Sequence, residues 1–196
     1  MSRAAVVAVS RNRIFDISTQ LALIIGGTFI VALCARISIP LPGTPVPLSL
    51  VNFAVILVGL VLGSRRGFAA LALYLAEGAV GLPVFSPVGA PGILRFLGPT
   101  AGYLIAYPFV AALAGYLFER GKTKFARAII AAISAEVLLF ACGLSWLLVL
   151  TRSIRTAFVF GLYWFVFGEV IKVMLAAAVA SAWRRRRLPS TDDLKA

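Results

Sequence analysis

Tyr163-Trp164-Phe165-Val166-Phe167-Gly168-Glu169-Val170-Ile171-Lys172 decides the fold of this chain. The decamer lies inside an apolar run from about Ala157 to Trp183, long enough for a membrane-spanning helix. It nevertheless carries a carboxylate and an ammonium three positions apart, and positions i and i+3 share one helix face. Each ionisable group at mid-bilayer costs roughly 2.5–3.5 kcal/mol on insertion scales, so such groups face a bundle interior or a cavity, not lipid. Glu169 and Lys172 therefore read as a polar ligand site with both signs available. The plainer reading is an ion pair that only fixes helix packing.

Working outward, apolar runs recur along the whole length. Of 196 residues, 61% are hydrophobic and 13% charged, against about 25% charged in soluble domains. This composition indicates an all-α, polytopic membrane protein forming a single domain over residues 1–196. The net charge of +12 does not indicate nucleic acid. The basic residues cluster in short segments between apolar runs, as in cytoplasmic loops. Cys34 and Cys142 lie in or at the end of apolar runs and read as small buried hydrophobes, without the spacing of a disulfide or metal site. There is no histidine, so the commonest general base and metal ligand are missing.

Six helices are expected, at about 14–35, 48–63, 67–80, 100–118, 128–150 and 157–183. Residues 1–13, with Arg3, Arg11 and Arg13, read as an uncleaved cytoplasmic segment, because the run that follows exceeds a signal-peptide core. The first helix carries small residues at spacing four, Ala22 with Gly26 and Thr28 with Ala32. Such pairs let backbones approach closely, within the bundle or against a partner subunit. Ile39-Pro40-Leu41-Pro42-Gly43-Thr44-Pro45-Val46-Pro47 holds four prolines in eight residues and is not helix. It is stiff and apolar, and non-helical backbone near membrane depth is tolerated where it lines a cavity. It reads as a lid. A second irregular stretch runs from Gly81 to Thr100, punctuated by glycine and proline. Glu77 and Glu136 are further carboxylates in apolar context. Gly121-Lys122-Thr123 resembles the end of a phosphate-binding loop, but five residues separate Gly115 from Gly121 where that motif needs four, so no nucleotide-hydrolysing site is expected.

With a cytoplasmic N-terminus, six spans return the C-terminus inside. Fourteen Lys and Arg then lie inside, namely Arg3, Arg11, Arg13, Arg65, Arg66, Arg120, Lys122, Lys124, Arg127, Arg184, Arg185, Arg186, Arg187 and Lys195. Four lie outside, Arg36, Arg95, Arg152 and Arg155. This bias supports the topology. Eight of the ten prolines then fall in the two outer loops, which would roof an outward-opening pocket that collects Glu169, Lys172 and Glu77.

Several blocks resemble BioY, the biotin-binding S component of energy-coupling-factor (ECF) transporters. They are Ile37 to Pro47, Gly59-Leu60-Val61-Leu62-Gly63-Ser64-Arg65-Arg66-Gly67, Gly81-Leu82-Pro83-Val84-Phe85, Leu97-Gly98-Pro99-Thr100-Ala101-Gly102-Tyr103-Leu104 and Gly168 to Lys172. The resemblance extends from the first helix to the last. Where the family usually shows Thr-x-Gln after the prolines, Ser49 and Val51 stand here. Its Gly-Asp-x-x-Lys element appears with Glu169 in place of aspartate.

The resemblance implies a six-helix S component of a bacterial inner membrane that takes up biotin, is no enzyme, and needs no cofactor or metal. Its implied partners are lipid, a transmembrane coupling subunit and a pair of ABC-type ATPases. The small-residue face of Ala22, Gly26, Thr28 and Ala32 resembles the surface that meets the coupling subunit. For the ligand, Glu169 would accept from a ureido N–H and Lys172 would donate to a carbonyl or carboxylate. Glu77 or Glu136 would add an acceptor, and Tyr103, Trp146 and Trp164 would pack the rings. Thr44, Ser49 and Phe85 complete the candidate pocket, which is of the apolar kind with few placed polar groups. Two alternatives are a self-sufficient secondary carrier and an intramembrane enzyme with Glu169 as base. A lone Glu–Lys pair is a sparse catalytic set for the latter.

Overall fold

Glycine and proline cut the chain into its helices. The computed structural model describes residues 3–120 and 125–187, with side chains over 16–120 and 125–185. Gly121-Lys122-Thr123 and Lys195 lie outside the described residues. α1 (Arg3–Ala35) is helical well before the expected start at residue 14. The proline-rich segment follows as a narrow loop whose ends pair, β1 (Ser38–Ile39) with β2 (Leu48–Ser49), antiparallel with Ser38 opposite Ser49. Its four prolines fall between the strands, where no ladder N–H is needed. α2 (Val51–Leu62) and α3 (Ser64–Ala79) meet at Gly63. Its φ of 83° suits glycine, and the Glu119 carboxylate occupies the space a Cβ would need. A 3₁₀ turn at Gly92–Leu97 leads into α4 (Ala101–Glu119), and α5 (Phe125–Thr151) follows.

The expected sixth helix over 157–183 is not continuous. The chain turns at Arg152, with φ 51°, and restarts at α6 (Ile154–Phe158), where the Ser153 hydroxyl accepts from the Thr156 N–H at 3.3 Å. A π-helical segment, Val159–Tyr163, comes next, then a turn at Trp164 and Phe165, then α7 (Val166–Arg187). A run of apolar residues contains no signal for such a break, because periodicity alone distinguishes α from π poorly.

Four helices are long and apolar enough to cross a membrane: Asp16–Ala35, Ala101–Glu119, Phe125–Thr151 and Val166–Arg185. α2 has 12 residues, hence a rise of about 18 Å at 1.5 Å per residue, well short of a hydrocarbon core of about 30 Å. It is wrapped by protein, packing on α1, α3, α4, α5 and α7. α4 is the other central helix, set against α2, α3 and α5. α1 is the opposite case, since only 17% of its apolar window is buried. Ile17, Leu21, Ile25, Phe29 and Leu33 lie exposed along it.

Close backbone approach positions the central helices. A Cβ on Gly59 would lie 2.3 Å from the Ala111 carbonyl oxygen, and one on Gly115 would lie 2.4 Å from Gly63 and Ser64 backbone atoms. Gly26, by contrast, would meet nothing within 4 Å. Gly115→Ala should therefore destabilise the protein by about 1–3 kcal/mol, the usual cost of overpacking. Gly26→Ala should not. Thermal unfolding of both variants in detergent checks this.

Candidate functional site

The buried pair sits one turn into α7. Lys172 Nζ is 2.7 Å from Glu169 Oε1, and the two residues are 7% and 4% exposed. A second bond from Lys172 Nζ goes to the Ser49 carbonyl at 2.7 Å. Lys172 thus clamps the end of the proline loop to α7. Ser38 Oγ donates to Ser49 Oγ at 2.7 Å, closing the same corner. Asn52, on the first turn of α2, donates from Nδ2 to Glu169 Oε1 at 3.2 Å and takes a long 3.5 Å bond from the Tyr107 hydroxyl on α4. Glu169 Oε2 has no partner among the described residues.

Glu169 opens onto a cavity of about 60 Å³. Ser49, Asn52, Tyr74, Phe85, Arg95, Tyr103, Tyr107 and Phe165 are among the side chains of its walls. The wall is apolar and aromatic, with few placed polar groups. Tyr74 stacks edge-on against Phe85 with ring centroids 5.4 Å apart, and Phe85 does the same with Phe96 at 5.9 Å. Gly78 makes room for Phe85, since a Cβ there would lie 2.1 Å from the ring.

Arg95, from the second irregular stretch, is 5% exposed. Its Nη2 donates to the Ser86 carbonyl at 2.6 Å and its Nη1 to the Val88 carbonyl. Burial pulls its guanidinium below the ordinary arginine range, though an arginine stays charged. Among the described residues no carboxylate lies within ion-pair distance of it. Arg95 is thus a buried cation on the cavity wall whose charge is not met by a described carboxylate, a costly arrangement away from water.

The π segment supplies the remaining wall. Its geometry leaves carbonyls free to accept from outside the helix. Thr44 Oγ1 donates to the Phe160 carbonyl at 2.6 Å, and the Tyr103 hydroxyl to the Gly161 carbonyl at 2.9 Å. A Cβ on Gly161 would lie 2.6 Å from the Tyr103 oxygen. The two irregular stretches also join each other, because Arg36 donates to the Pro83 carbonyl.

Of the candidate residues, the structure brings Glu169, Ser49, Tyr103 and Phe85 to the cavity. Lys172 and Thr44 stand behind its wall. Glu136, 8% exposed on α5, is buried without a hydrogen-bond partner among the described residues. Three expected lining residues lie elsewhere. Glu77 faces α1, where it takes a 3.5 Å contact from Thr28 Oγ1. Trp146 donates its indole N–H to the Gly98 carbonyl at 2.9 Å and so anchors the second stretch. Trp164 is largely exposed, near Gly43 and edge-on to Tyr163. On α1, Ala22 and Gly26 face outward, Ala32 is half-buried and Thr28 is buried. Positions 26 and 28 are about 200° apart on a helix, so the four do not share a face.

The residues missed in the sequence are Asn52, Tyr74, Tyr107 and Arg95. Asn52 is the one side-chain amide within its apolar run, which was a usable signal. Arg95 was counted only as an outer-loop charge. Nothing in the sequence singles out Tyr74.

Comparison with known proteins agrees with this geometry. The model of the BioY family matches residues 5–188. The probable biotin transporter BioY of Pyrococcus horikoshii is 36% identical over 69% of this chain and 79% of its own length. The biotin transporter BioY of Thermotoga maritima is 37% identical over 78% of this chain and 88% of its own. The crystal structure of the S-component for biotin from an ECF-type ABC transporter superposes with a TM-score of 0.80, covering 87% of this chain and 93% of that one at 24% identity. This shows the fold.

The buried pair makes its own prediction. Lys172→Met strands a carboxylate and should destabilise the protein by about 3–5 kcal/mol. Replacing both partners, as in Glu169→Gln with Lys172→Met, should recover most of that loss. Denaturant unfolding of the single and double variants in detergent measures the difference.

Proposed function

The chain belongs to the BioY family, and on that premise we propose that it captures biotin in the cavity beside Glu169 and delivers it across the membrane. The named relatives are transporters, and its role is binding and transport, not catalysis. One observation carries the assignment of ligand to residues. The cavity wall holds a hydrogen-bond acceptor at one point, Glu169, and an unpaired buried cation at another, Arg95.

Biotin matches that pairing. Its ureido ring offers two N–H donors, which suit the free Glu169 Oε2. Its valeryl carboxylate suits the Arg95 guanidinium. The thiophane ring and alkyl chain suit Tyr103, Tyr107, Phe85 and Phe165. Lys172 acts through Glu169 and the Ser49 carbonyl, since both its contacts are made within the protein. Glu169 carries one methylene more than the family's usual aspartate, and Asn52 supplies a side-chain amide near where the family's usual glutamine is absent. A cavity of about 60 Å³ is far below the roughly 300–1,000 Å³ of small-molecule pockets, so on this reading the proline loop and the second stretch move apart to admit the ligand.

The finer topology belongs to the same proposal. The whole chain forms one membrane unit that crosses six times, with both ends cytoplasmic, in the inner membrane of a bacterium. α2, α3 and the α6–α7 pair, short or broken as helices, complete the crossings. An energising module of a coupling subunit and ABC-type ATPases would meet the outward face of α1, where Ala22 and Gly26 leave the backbone open.

Arg95→Gln should weaken biotin binding by about 2 kcal/mol, since hydrogen bonds to charged groups contribute about 1.5–3 kcal/mol. Binding of uncharged biotin amide should change far less. Lys172→Ala should also weaken biotin binding by about 2 kcal/mol or more. Equilibrium binding to purified protein tests each. A wild-type protein that fails to bind biotin ends the proposal, and equal losses for biotin and its amide remove Arg95 from the carboxylate site.

A further inference from the structure

On a cyclic urea each N–H lies beside the carbonyl, so one edge of the ring presents a donor and an acceptor together. Glu169 Oε2, without a partner among the described residues, suits the donor. The carbonyl then needs an N–H or O–H standing next to Glu169, because a buried acceptor left unmet costs the full desolvation of that group. Lys172 is not that donor. Its ammonium stands behind the wall, bonded to Glu169 Oε1 and to the Ser49 carbonyl. The three tyrosine hydroxyls of the wall are committed as well: Tyr74 to the Val84 carbonyl, Tyr103 to the Gly161 carbonyl and Tyr107 to Asn52.

Asn52 meets the requirement. It is the cavity-wall residue hydrogen-bonded to Glu169, with Nδ2 at 3.2 Å from Oε1. Its neighbours fix which way the amide faces. Nδ2 faces a carboxylate, which only accepts, and Oδ1 faces the Tyr107 hydroxyl at 3.5 Å, which donates. The reverse orientation would set the amide oxygen against the carboxylate. Nδ2 carries two hydrogens and makes one bond among the described residues, so its second N–H is free. Asn52 also stands apart from the two irregular stretches that widen the cavity. It lies in the first turn of α2, the helix packed on α1, α3, α4, α5 and α7.

We propose that Asn52 is the specificity-determining residue for the ureido carbonyl. Its second Nδ2 hydrogen donates to that oxygen while Glu169 Oε2 accepts from the adjacent N–H. The two side chains thereby form a pair of parallel hydrogen bonds with one edge of the ring. Such an edge selects a cyclic urea or other cis-amide, and rejects a ring that carries an N–H donor in place of the carbonyl oxygen. This rests on Glu169 being the acceptor for biotin.

The test is equilibrium binding of biotin and of 2-iminobiotin to the purified full-length protein at neutral pH. 2-Iminobiotin keeps the thiophane ring, the valeryl carboxylate and the ring N–H groups, but as a cyclic guanidinium it presents N–H hydrogens where biotin has its oxygen. The wild type should bind biotin about tenfold more tightly or better, the worth of one hydrogen bond at the upper end of its range. Asn52→Leu, close in size and without a donor, should weaken biotin about tenfold and leave 2-iminobiotin unchanged or tighter, so that the preference collapses. Equal binding of the two ligands by the wild type would overturn the proposal with no variant needed. So would an Asn52→Leu protein that loses both ligands equally, as a merely structural role requires, or one that keeps the preference. A wild type that binds no biotin ends the reading of the cavity itself, a result distinct from binding without discrimination.

Discussion

Charge without water is the constraint from which the rest follows. In a hydrocarbon setting an ammonium and a carboxylate persist only if each is neutralised and each remaining donor or acceptor is met. Lys172 is neutralised by Glu169 and makes a second bond to the Ser49 carbonyl, while Glu169 Oε2 stays without a partner among the described residues. The second bond matters most for architecture. It reaches from α7 to the strand that closes the proline loop, across 123 residues of sequence. The same ammonium that neutralises Glu169 thereby fixes where the lid is rooted.

The irregular backbone obeys the same rule. Loop carbonyls and N–H groups need partners when they lie near membrane depth. The structure meets this need with side chains drawn from distant helices. Thr44 and Tyr103 take the Phe160 and Gly161 carbonyls of the π segment, Trp146 takes Gly98, Arg36 takes Pro83, and Arg95 takes Ser86 and Val88. Two of these donors are cations, one of them buried. A cation that serves a carbonyl still has its formal charge unmet, and among the described residues no carboxylate lies within ion-pair distance of Arg95.

The sequence revealed the helical class, the irregular proline- and glycine-rich stretches and the burial of Glu169 and Lys172, because each rests on local chemistry. Proline has no N–H, and charges in apolar runs face inward. It did not reveal which way other side chains point. Glu77 and Glu136 look alike in sequence, each a lone carboxylate in an apolar run, yet Glu77 contacts Thr28 across to α1 while Glu136 is buried with no partner among the described residues. The difference is a rotation about the helix axis, which depends on packing partners far away in sequence. Trp146 and Trp164 were misplaced for a related reason. An aromatic ring suits a ligand wall, a lipid interface and a loop anchor equally well until its N–H partner is known.

The break in the last crossing links this packing to capture. A straight helix through 157–183 would carry its carbonyls in internal bonds and offer the lid nothing to hold. The π segment leaves the Phe160 and Gly161 carbonyls for Thr44 and Tyr103, so the lid is held at its tip by one hydroxyl and at its root by Lys172. A single neutral hydrogen bond contributes about 0.5–1.5 kcal/mol, whereas a bond from a charged donor contributes about 1.5–3 kcal/mol. The tip is therefore the weaker of the two attachments, and the proposed route of capture opens there.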